Sequence, residues 1–381
     1  MVLSIFSTVR QHRVQIRRSA PQHHNAVHLS CLLSNWQSAP VRRYARNTKR
    51  ARYSWQSLRV CCLMERPDFK LAKVQLALDT KAKISEGPTW LETRQELAFV
   101  DIEGKSVHIW SPKDGVSWKL DVPGRPGTLS PTLEPHLLLV AMEQEIYLLD
   151  LEKRQLGEKI VAIPEPLRRS ARFNDGKASP AGSFIVGTVH NQAIEGQPGQ
   201  LFLLAGGPSG PLDLVQVLSE AELKMANGIC WTEGMHSMWH CDTSGGCIKE
   251  YRCDKHGAPE RDDDGSPSCI NQIDIPNEAG FPDGMTIDSC GRLWVALFEG
   301  SAVACYDSNT GKYLGKLDMP VRHPTCPIFG GPKLDTMYVT CKGEEPEKGA
   351  GGVFAATIPG VHGVAASYLA KITSVLDGQV Q

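Results

Sequence analysis

The sequence lacks several of the patterns that most readily reveal a function. None of its 381 residues belong to an apolar run approaching the length of about 18 that a spanning helix needs. It has no G-x-S-x-G nucleophile elbow, no Walker loop and no G-x-G-x-x-G loop opening a helix. These absences argue against a membrane partner, a serine hydrolase and a nucleotide cofactor.

Paired cysteine motifs are absent too, although the chain has 12 cysteines. None is spaced C-x-x-C, and those from Cys230 to Cys341 fall singly in strand-like runs. A disulfide framework or a zinc site would need closer and more regular spacing. We therefore expect free, buried thiols.

Acidic residues are missing from the first 64 positions, which carry 11 Lys and Arg. The rest of the chain has 30 basic and 42 acidic residues, and an acidic body argues against nucleic-acid binding. An arginine-rich, acid-free leader with scattered serines is typical of a transit peptide. We predict a basic leader, transit-like or disordered, over residues 1–63 and one folded domain over 64–381. Location is mitochondrial if the leader is a genuine transit peptide, and cytoplasmic if it is upstream sequence of another kind.

A repeated unit follows Met64. Each copy has a small or polar pair ending in glycine, an apolar strand, a turn and a second apolar strand. The copies cover residues 86–102, 126–142, 174–189, 227–242, 283–298 and, more weakly, 324–341. The glycines recur every 40 to 56 residues, which is the length of a four-stranded propeller blade. We predict an all-β, six-bladed β-propeller, closed by pairing of Lys73–Leu78 with the last blade. A pair of β-sandwiches is the alternative, but it does not explain the period.

The residues that precede the repeat glycines indicate a metal site. In a propeller the first strand of each blade lines the central channel, so these positions converge on one mouth. Four of them carry side-chain oxygens: Glu86, Asp175, Asn227 and Asp283. Carboxylate and amide oxygens suit hard cations, Ca²⁺ above all, and a cation would relieve repulsion between crowded carboxylates. For Asp175 alone we favour a hydrogen bond to the backbone over a role in the site.

Several stretches, in order, resemble the regucalcin / senescence marker protein / gluconolactonase family. They are SEGPTW, ARFNDGKASPAG, ANGICW and GFPDGMTIDSCGRLWVAL, and the likeness extends from residue 84 to the tail GGVFAATIPGVHGVAA. The resemblance implies a six-bladed propeller with one divalent metal in its channel. Carried over by motif, the metal ligands are Glu86, Asn227 and Asp283.

The resemblance also implies a reaction, the opening of a sugar lactone by an activated water. Asp283 of the P-D-G motif is then the proton acceptor, and Arg172 and Asn174 of R-F-N-D-G contact the substrate. Calcium is the expected metal, with zinc, manganese or magnesium as alternatives, in a monomer or weak homodimer. Animal regucalcins carry a Glu-Glu stretch where this chain has His190, Asn191 and Gln192, which puts the sugar specificity in doubt.

Two other functions fit the same residues. One is a calcium-binding regulatory protein of regucalcin type that catalyses no reaction, and the other is a hydrolase of a non-sugar lactone or ester. A plain interaction propeller is a third alternative, and it predicts no bound metal at all.

Overall fold

Short apolar runs separated by turn residues give 24 β-strands in the part of the chain that the structure describes. The structure is a computed structural model and describes residues 66–165, 167–190, 199–206, 212–343 and 346–364. The predicted leader over 1–63 lies outside these residues, so its targeting role stays a prediction.

The strands follow one another in groups of four. The first twelve are β1 (Lys73–Leu78), β2 (Ser85–Leu91), β3 (Glu96–Asp101), β4 (Ser106–Trp110), β5 (Ser117–Asp121), β6 (Pro126–Pro131), β7 (Leu137–Met142), β8 (Glu145–Asp150), β9 (Gln155–Ala162), β10 (Ala171–Ala178), β11 (Phe184–His190) and β12 (Leu201–Ala205). The rest are β13 (Asp213–Leu218), β14 (Ala226–Trp231), β15 (Ser237–Asp242), β16 (Cys247–Arg252), β17 (Cys269–Asp274), β18 (Phe281–Ile287), β19 (Arg292–Phe298), β20 (Ala302–Asp307), β21 (Tyr313–Asp318), β22 (Pro324–Gly330), β23 (Thr336–Cys341) and β24 (Val353–Thr357). The described residues also include one-turn 3-10 helices at Leu167–Arg169, Glu233–Met235 and Asn277–Ala279.

In these residues the strands form six antiparallel sheets of four, which are the blades of a β-propeller. Blades 1 to 5 are β2–β5, β6–β9, β10–β13, β14–β17 and β18–β21, each in chain order. Blade 6 has the order β22-β23-β24-β1. The predicted fold class is therefore confirmed, and every predicted repeat copy corresponds to the first two strands of a blade.

Closure of the ring takes place in blade 6. The strand β1 from the start of the domain pairs antiparallel with β24 near its end, so that Lys73 lies opposite Thr357 and Leu76 opposite Phe354. The sequence predicted this partner for Lys73–Leu78. The pairing joins the two ends of the domain and covers the edge of β24.

The hydrophobic core is divided into layers between neighbouring blades. On β11, for example, Phe184 and Val186 belong to the layer shared with blade 2, while Ile185 belongs to the layer shared with blade 4. This follows from the alternation of side chains along a strand, because both faces of each blade are covered. Burial of each large apolar side chain contributes about 1.5–3 kcal/mol.

Most of the cysteines behave as the sequence predicts. Free thiols are found at Cys230, Cys241, Cys247, Cys253, Cys269, Cys305, Cys326 and Cys341, and six of these are buried. Cys290, in the turn after β18, is disulfide-bonded, so the expectation of free thiols is wrong there. No helix in the described part of the chain is long and apolar enough to cross a membrane.

His240 of β15 is a buried titratable group without polar contacts. It is 0% exposed, and neither ring nitrogen has a hydrogen-bond partner among the described residues. Burial lowers the pKa of His240 to about 4. Since an unfolded histidine titrates near pH 6.5, the unfolded chain binds more protons between about pH 6.5 and 4. We therefore expect His240 to make the protein progressively less stable as the pH falls through that window.

The His240→Leu protein tests this expectation. Free energies of unfolding are measured with urea from pH 7.5 to 4.5. The difference between His240→Leu and the wild type should change in favour of the variant by up to about 3 kcal/mol as the pH falls. The matched control is His236→Leu, which replaces an exposed histidine in the same blade and should leave the difference constant. Equal pH profiles for wild type and His240→Leu would contradict the assignment.

Candidate functional site

The six first strands of the blades line the central channel. Neighbouring first strands contact each other round the whole ring, with β22 meeting β2. Each contains a β-bulge near its start, as on β14 between Ala226 and Ile229 and on β18 between Pro282 and Met285. A bulge re-aims the side chains beside it. The predicted site residues lie at or next to these bulges, at the same end of the channel.

Glycines after the site residues allow the first strands to approach closely. A Cβ on Gly228 would lie 2.4 Å from Met285 N and 2.7 Å from Asp283 O, both backbone atoms of the next blade. A Cβ on Gly284 would lie 2.3 Å from Sγ of Cys326 in blade 6. Glycine is therefore required here by the spacing of the blades, and this explains its recurrence in the repeat.

Four oxygen-bearing side chains from blades 1, 3, 4 and 5 converge at this end. Glu86, Asp175 and Asn227 are each 6% exposed, and Asp283 is 7% exposed. Three are carboxylates, and none of the three forms an ion pair within the described residues. Buried carboxylates are ordinarily paired with a cation.

Hydrogen bonds hold each of these side chains in place. Glu86 Oε2 accepts from Gly87 N at 2.6 Å, and Asp175 Oδ1 accepts from Gly176 N at 2.8 Å. One oxygen of each carboxylate is thus held by the backbone of its own strand, and Asp175 Oδ1 also accepts from Thr128 Oγ1 of blade 2 at 3.4 Å.

Thr243 orients the side chain from blade 4. Asn227 Nδ2 donates to Thr243 Oγ1 at 3.0 Å, and Thr243 donates in turn to the carbonyl of Pro282 at 2.7 Å. The side chain of Asn227 also opposes the rise in the pKa of Asp283. Through Thr243, blade 4 therefore holds the backbone next to the carboxylate on blade 5.

Burial and mutual repulsion dominate the electrostatics. Burial raises the pKa of Asp283 well above its usual range, and the neighbouring charge of Asp175 raises it further. The pKa of Glu86 is raised by burial first, then by Asp283 and Asp175. Burial also raises the pKa of Asp175, which Lys177 opposes. The three carboxylates therefore interact electrostatically across the channel.

Asp175 hydrogen-bonds to the backbone, as the sequence predicts, and its charge also raises the pKa of Glu86 and of Asp283. The signal was present in the repeat, because Asp175 occupies the same position before a glycine as the other three. Blade 6 contributes no such oxygen: Thr325 donates to Ser85 O and contacts Thr340 instead.

The donor chemistry fits a hard cation such as Ca²⁺. As the side chains are placed, however, no group of three His, Cys, Asp or Glu in the described residues could already hold a metal ion. Asn227 is not one of these residue types, so the predicted ligand set includes only two of them, Glu86 and Asp283.

Arg172 and Asn174 lie together at the start of β10. Arg172 Nη1 donates to Asn174 Oδ1 at 3.1 Å and to Phe173 O at 2.8 Å, and Asn174 Nδ2 donates to Ala226 O of blade 4 at 2.9 Å. Burial lowers the pKa of Arg172 to about 10, which still leaves it charged at neutral pH. The structure thus places both predicted substrate contacts beside the carboxylates. Of the stretch that differs from animal regucalcins, Asn191 and Gln192 lie outside the described residues.

A cavity of about 760 Å³, its open mouth included, lies at the opposite end of the channel. Trp90, Trp231 and Phe329, from the ends of three first strands, are among its walls. Lys177 also lines it and donates to the carbonyl of Met285 at 3.0 Å. Lys177 therefore lies between this cavity and the carboxylates, and the cavity is separate from the predicted site.

Fold and site together define a class: six-bladed propellers with buried oxygen-bearing side chains at one mouth of the channel. Residues 84–343 match the family described as SMP-30/Gluconolactonase/LRE-like region. The chain belongs to this family.

Individual relatives resemble most of the domain. A putative sugar lactone lactonase of Bacillus subtilis, YvrE, is 33% identical over an alignment of 290 residues that covers 74% of this chain and 94% of that protein. Regucalcin of Xenopus laevis is 28% identical over 306 residues, covering 77% of this chain and 97% of its own length. A solved luciferin-regenerating enzyme superposes with a TM-score of 0.68 at 28% identity, over 79% of this chain and 100% of that one.

Proposed function

We propose that this protein is a metal-dependent hydrolase that opens a sugar lactone. The observation that carries the proposal is the set of buried oxygens from Glu86, Asp175, Asn227 and Asp283, which converge without an ion-pair partner in the described residues. The relative YvrE, named as a sugar lactone lactonase, supports the substrate class. The substrate would be a small lactone, and the functional unit a monomer or weak homodimer.

Glu86, Asn227 and Asp283 would hold the cation. Their oxygens favour Ca²⁺, with Zn²⁺, Mn²⁺ or Mg²⁺ as alternatives. When bound, a divalent cation supplies Lewis acidity to a carbonyl oxygen and to water.

Residues of the chain perform the remaining steps. Asp283, beside Asn227, takes the proton from the attacking water and returns it to the ring oxygen as the acyl C–O bond of the lactone breaks. Arg172 and Asn174 donate hydrogen bonds to the lactone's oxygens and hold the lactone in place. The burial of this end of the channel excludes competing water and strengthens these interactions.

A lactone panel with added metals tests the proposal. Purified protein should hydrolyse D-glucono-1,5-lactone above the spontaneous rate when Ca²⁺, Zn²⁺ or Mn²⁺ is added. Hydrolysis of non-sugar lactones or esters alone would assign a different substrate to the same site. Metal binding without turnover of any lactone would instead favour a calcium-binding regulatory role, which the regucalcin relative supports. No bound metal and no turnover would refute both.

Asp175 should contribute to cation affinity even without contacting the ion. In the Asp175→Asn protein one of three buried negative charges is removed, so calcium affinity should fall roughly tenfold. Isothermal titration calorimetry measures this, with Asp213→Asn, at an exposed position of the same blade, as the control that stays unchanged. Affinity within twofold of the wild type would show that Asp175 is electrostatically separate from the site.

A further inference from the structure

The start of β10 is held by a turn from the neighbouring blade. Glu143 and Gln144 form the two-residue turn between β7 and β8 of blade 2. Phe173 N donates to Glu143 O at 2.6 Å, and Gln144 Nε2 donates to Ala171 O at 3.2 Å. These hydrogen bonds hold the backbone on both sides of Arg172.

The carboxylate of Glu143 is itself clamped by Arg125, from the connection that leads into blade 2. Glu143 Oε1 accepts from Arg125 N and Nε, each at 2.9 Å, and Oε2 accepts from Nη2 at 3.0 Å. A bidentate pair of this kind is both strong and geometrically specific. Gly124 leaves room for it, since a Cβ there would lie 2.6 Å from Glu143 Cγ.

The pair also balances charge around Arg172. The guanidinium of Arg125 disfavours the charged form of Arg172, while the carboxylates of Glu103 and Glu143 favour it. Glu103 lies 3.8 Å from Arg125 Nη1, so both acids belong to the same group of charges. Within the described residues Arg172 donates hydrogen bonds only through Nη1, and its other N–H groups remain for a ligand. A change at Glu143 would therefore alter both the backbone support and the field at Arg172.

We propose that Glu143, clamped by Arg125, is a positioning residue that aims Arg172 at the substrate and thereby determines how tightly the lactone's oxygens are bound. This rests on the proposed function for the identity of the ligand. Blade 2 would thus contribute to the site through its turn at Glu143. Its first strand has Pro126 before the repeat glycine and so supplies no side-chain oxygen there.

Steady-state kinetics of Glu143→Gln provide the first test. The variant keeps the size of the side chain but removes its charge, so KM for D-glucono-1,5-lactone should rise about tenfold while kcat stays within about threefold. The matched control is Glu145→Gln, two residues along, because Glu145 pairs with Lys159 at 3.1 Å and Arg168 at 2.6 Å and not with Arg125. A KM for Glu143→Gln within twofold of the wild type would overturn the proposal.

A double-mutant cycle separates positioning from general destabilisation. If Arg125 and Glu143 act as one unit, the Arg125→Ala/Glu143→Gln protein should have a KM no worse than the poorer single variant. The melting temperature of each variant is compared with that of Glu145→Gln, and a KM effect of positioning should appear without a larger loss in melting temperature than that control shows. Effects on KM that multiply would show that the two residues act separately, against the proposal.

A crystal structure of Glu143→Gln tests whether Glu143 positions Arg172, independently of any measured turnover. We expect the Arg172 guanidinium to move by about 1 Å or more, a displacement large enough to weaken binding. If the wild type hydrolyses no lactone, the proposed function fails, and this structure still tests the positioning role. An Arg172 in its wild-type place would overturn it.

Discussion

The Asp283→Asn protein is expected to lose lactone hydrolysis by about a thousandfold in kcat/KM, or roughly 4 kcal/mol of transition-state stabilisation. Asparagine keeps the shape of the side chain, but it cannot accept the proton from water and is a weaker cation ligand. Without metal, the variant should melt at or above the temperature of the wild type, because it removes a buried charge that Asp175 repels. Loss of activity together with retained stability would separate a chemical role from a structural one.

Asp318→Asn is the control for this experiment. Asp318 lies on β21 of the same blade, its side chain is 80% exposed, and it pairs only at the surface with Lys316. Its activity should stay within twofold of the wild type. Activity of Asp283→Asn within tenfold of the wild type would exclude Asp283 as both proton acceptor and ligand.

The second large effect is expected from Gly228→Ala. The added Cβ would press on backbone atoms of Asp283 and Met285, and backbone cannot rotate away as a side chain can. Overpacking of this kind costs about 1–3 kcal/mol, which lowers the melting temperature by several degrees in a domain of this size. Because blades 4 and 5 must separate, Asn227 and Asp283 should also lose their alignment, so activity falls with stability.

Gly157→Ala supplies the comparison. Gly157 lies on the outermost strand of blade 2, where the nearest atom to a new Cβ is Leu148 O at 3.2 Å. A small adjustment should absorb that contact, with little change in melting temperature or activity. If Gly228→Ala behaved like Gly157→Ala, close packing of the first strands would not be what requires glycine in the repeat.

Much of the fold could be predicted from the sequence because a propeller repeats its own pattern. The repeat copy over residues 283–298 predicted two strands joined by a turn, and β18 and β19 form them. The distant pairing of Lys73–Leu78 was also predictable, since a ring of blades must close and the last blade needs a fourth strand. Local alternation and spacing carried this information without any knowledge of contacts.

The electrostatic and supporting parts of the site were harder to predict. Asp175 fits a simple turn when it is considered alone, and only its proximity to Glu86 and Asp283 across the channel shows a wider role. The turn at Glu143 carries no motif at all, because its function depends on meeting β10 of another blade. Contacts of this kind come from the packing of blades, which periodicity does not record.

The central claim is that a divalent cation held at Glu86, Asn227 and Asp283 is required for lactone hydrolysis. The most direct measurement is the initial rate on D-glucono-1,5-lactone after chelation, with residual metal determined by elemental analysis, followed by titration with Ca²⁺. We predict a rate no greater than the spontaneous one without metal and a saturable recovery as Ca²⁺ is added. Full activity in protein shown to be free of metal would contradict the account.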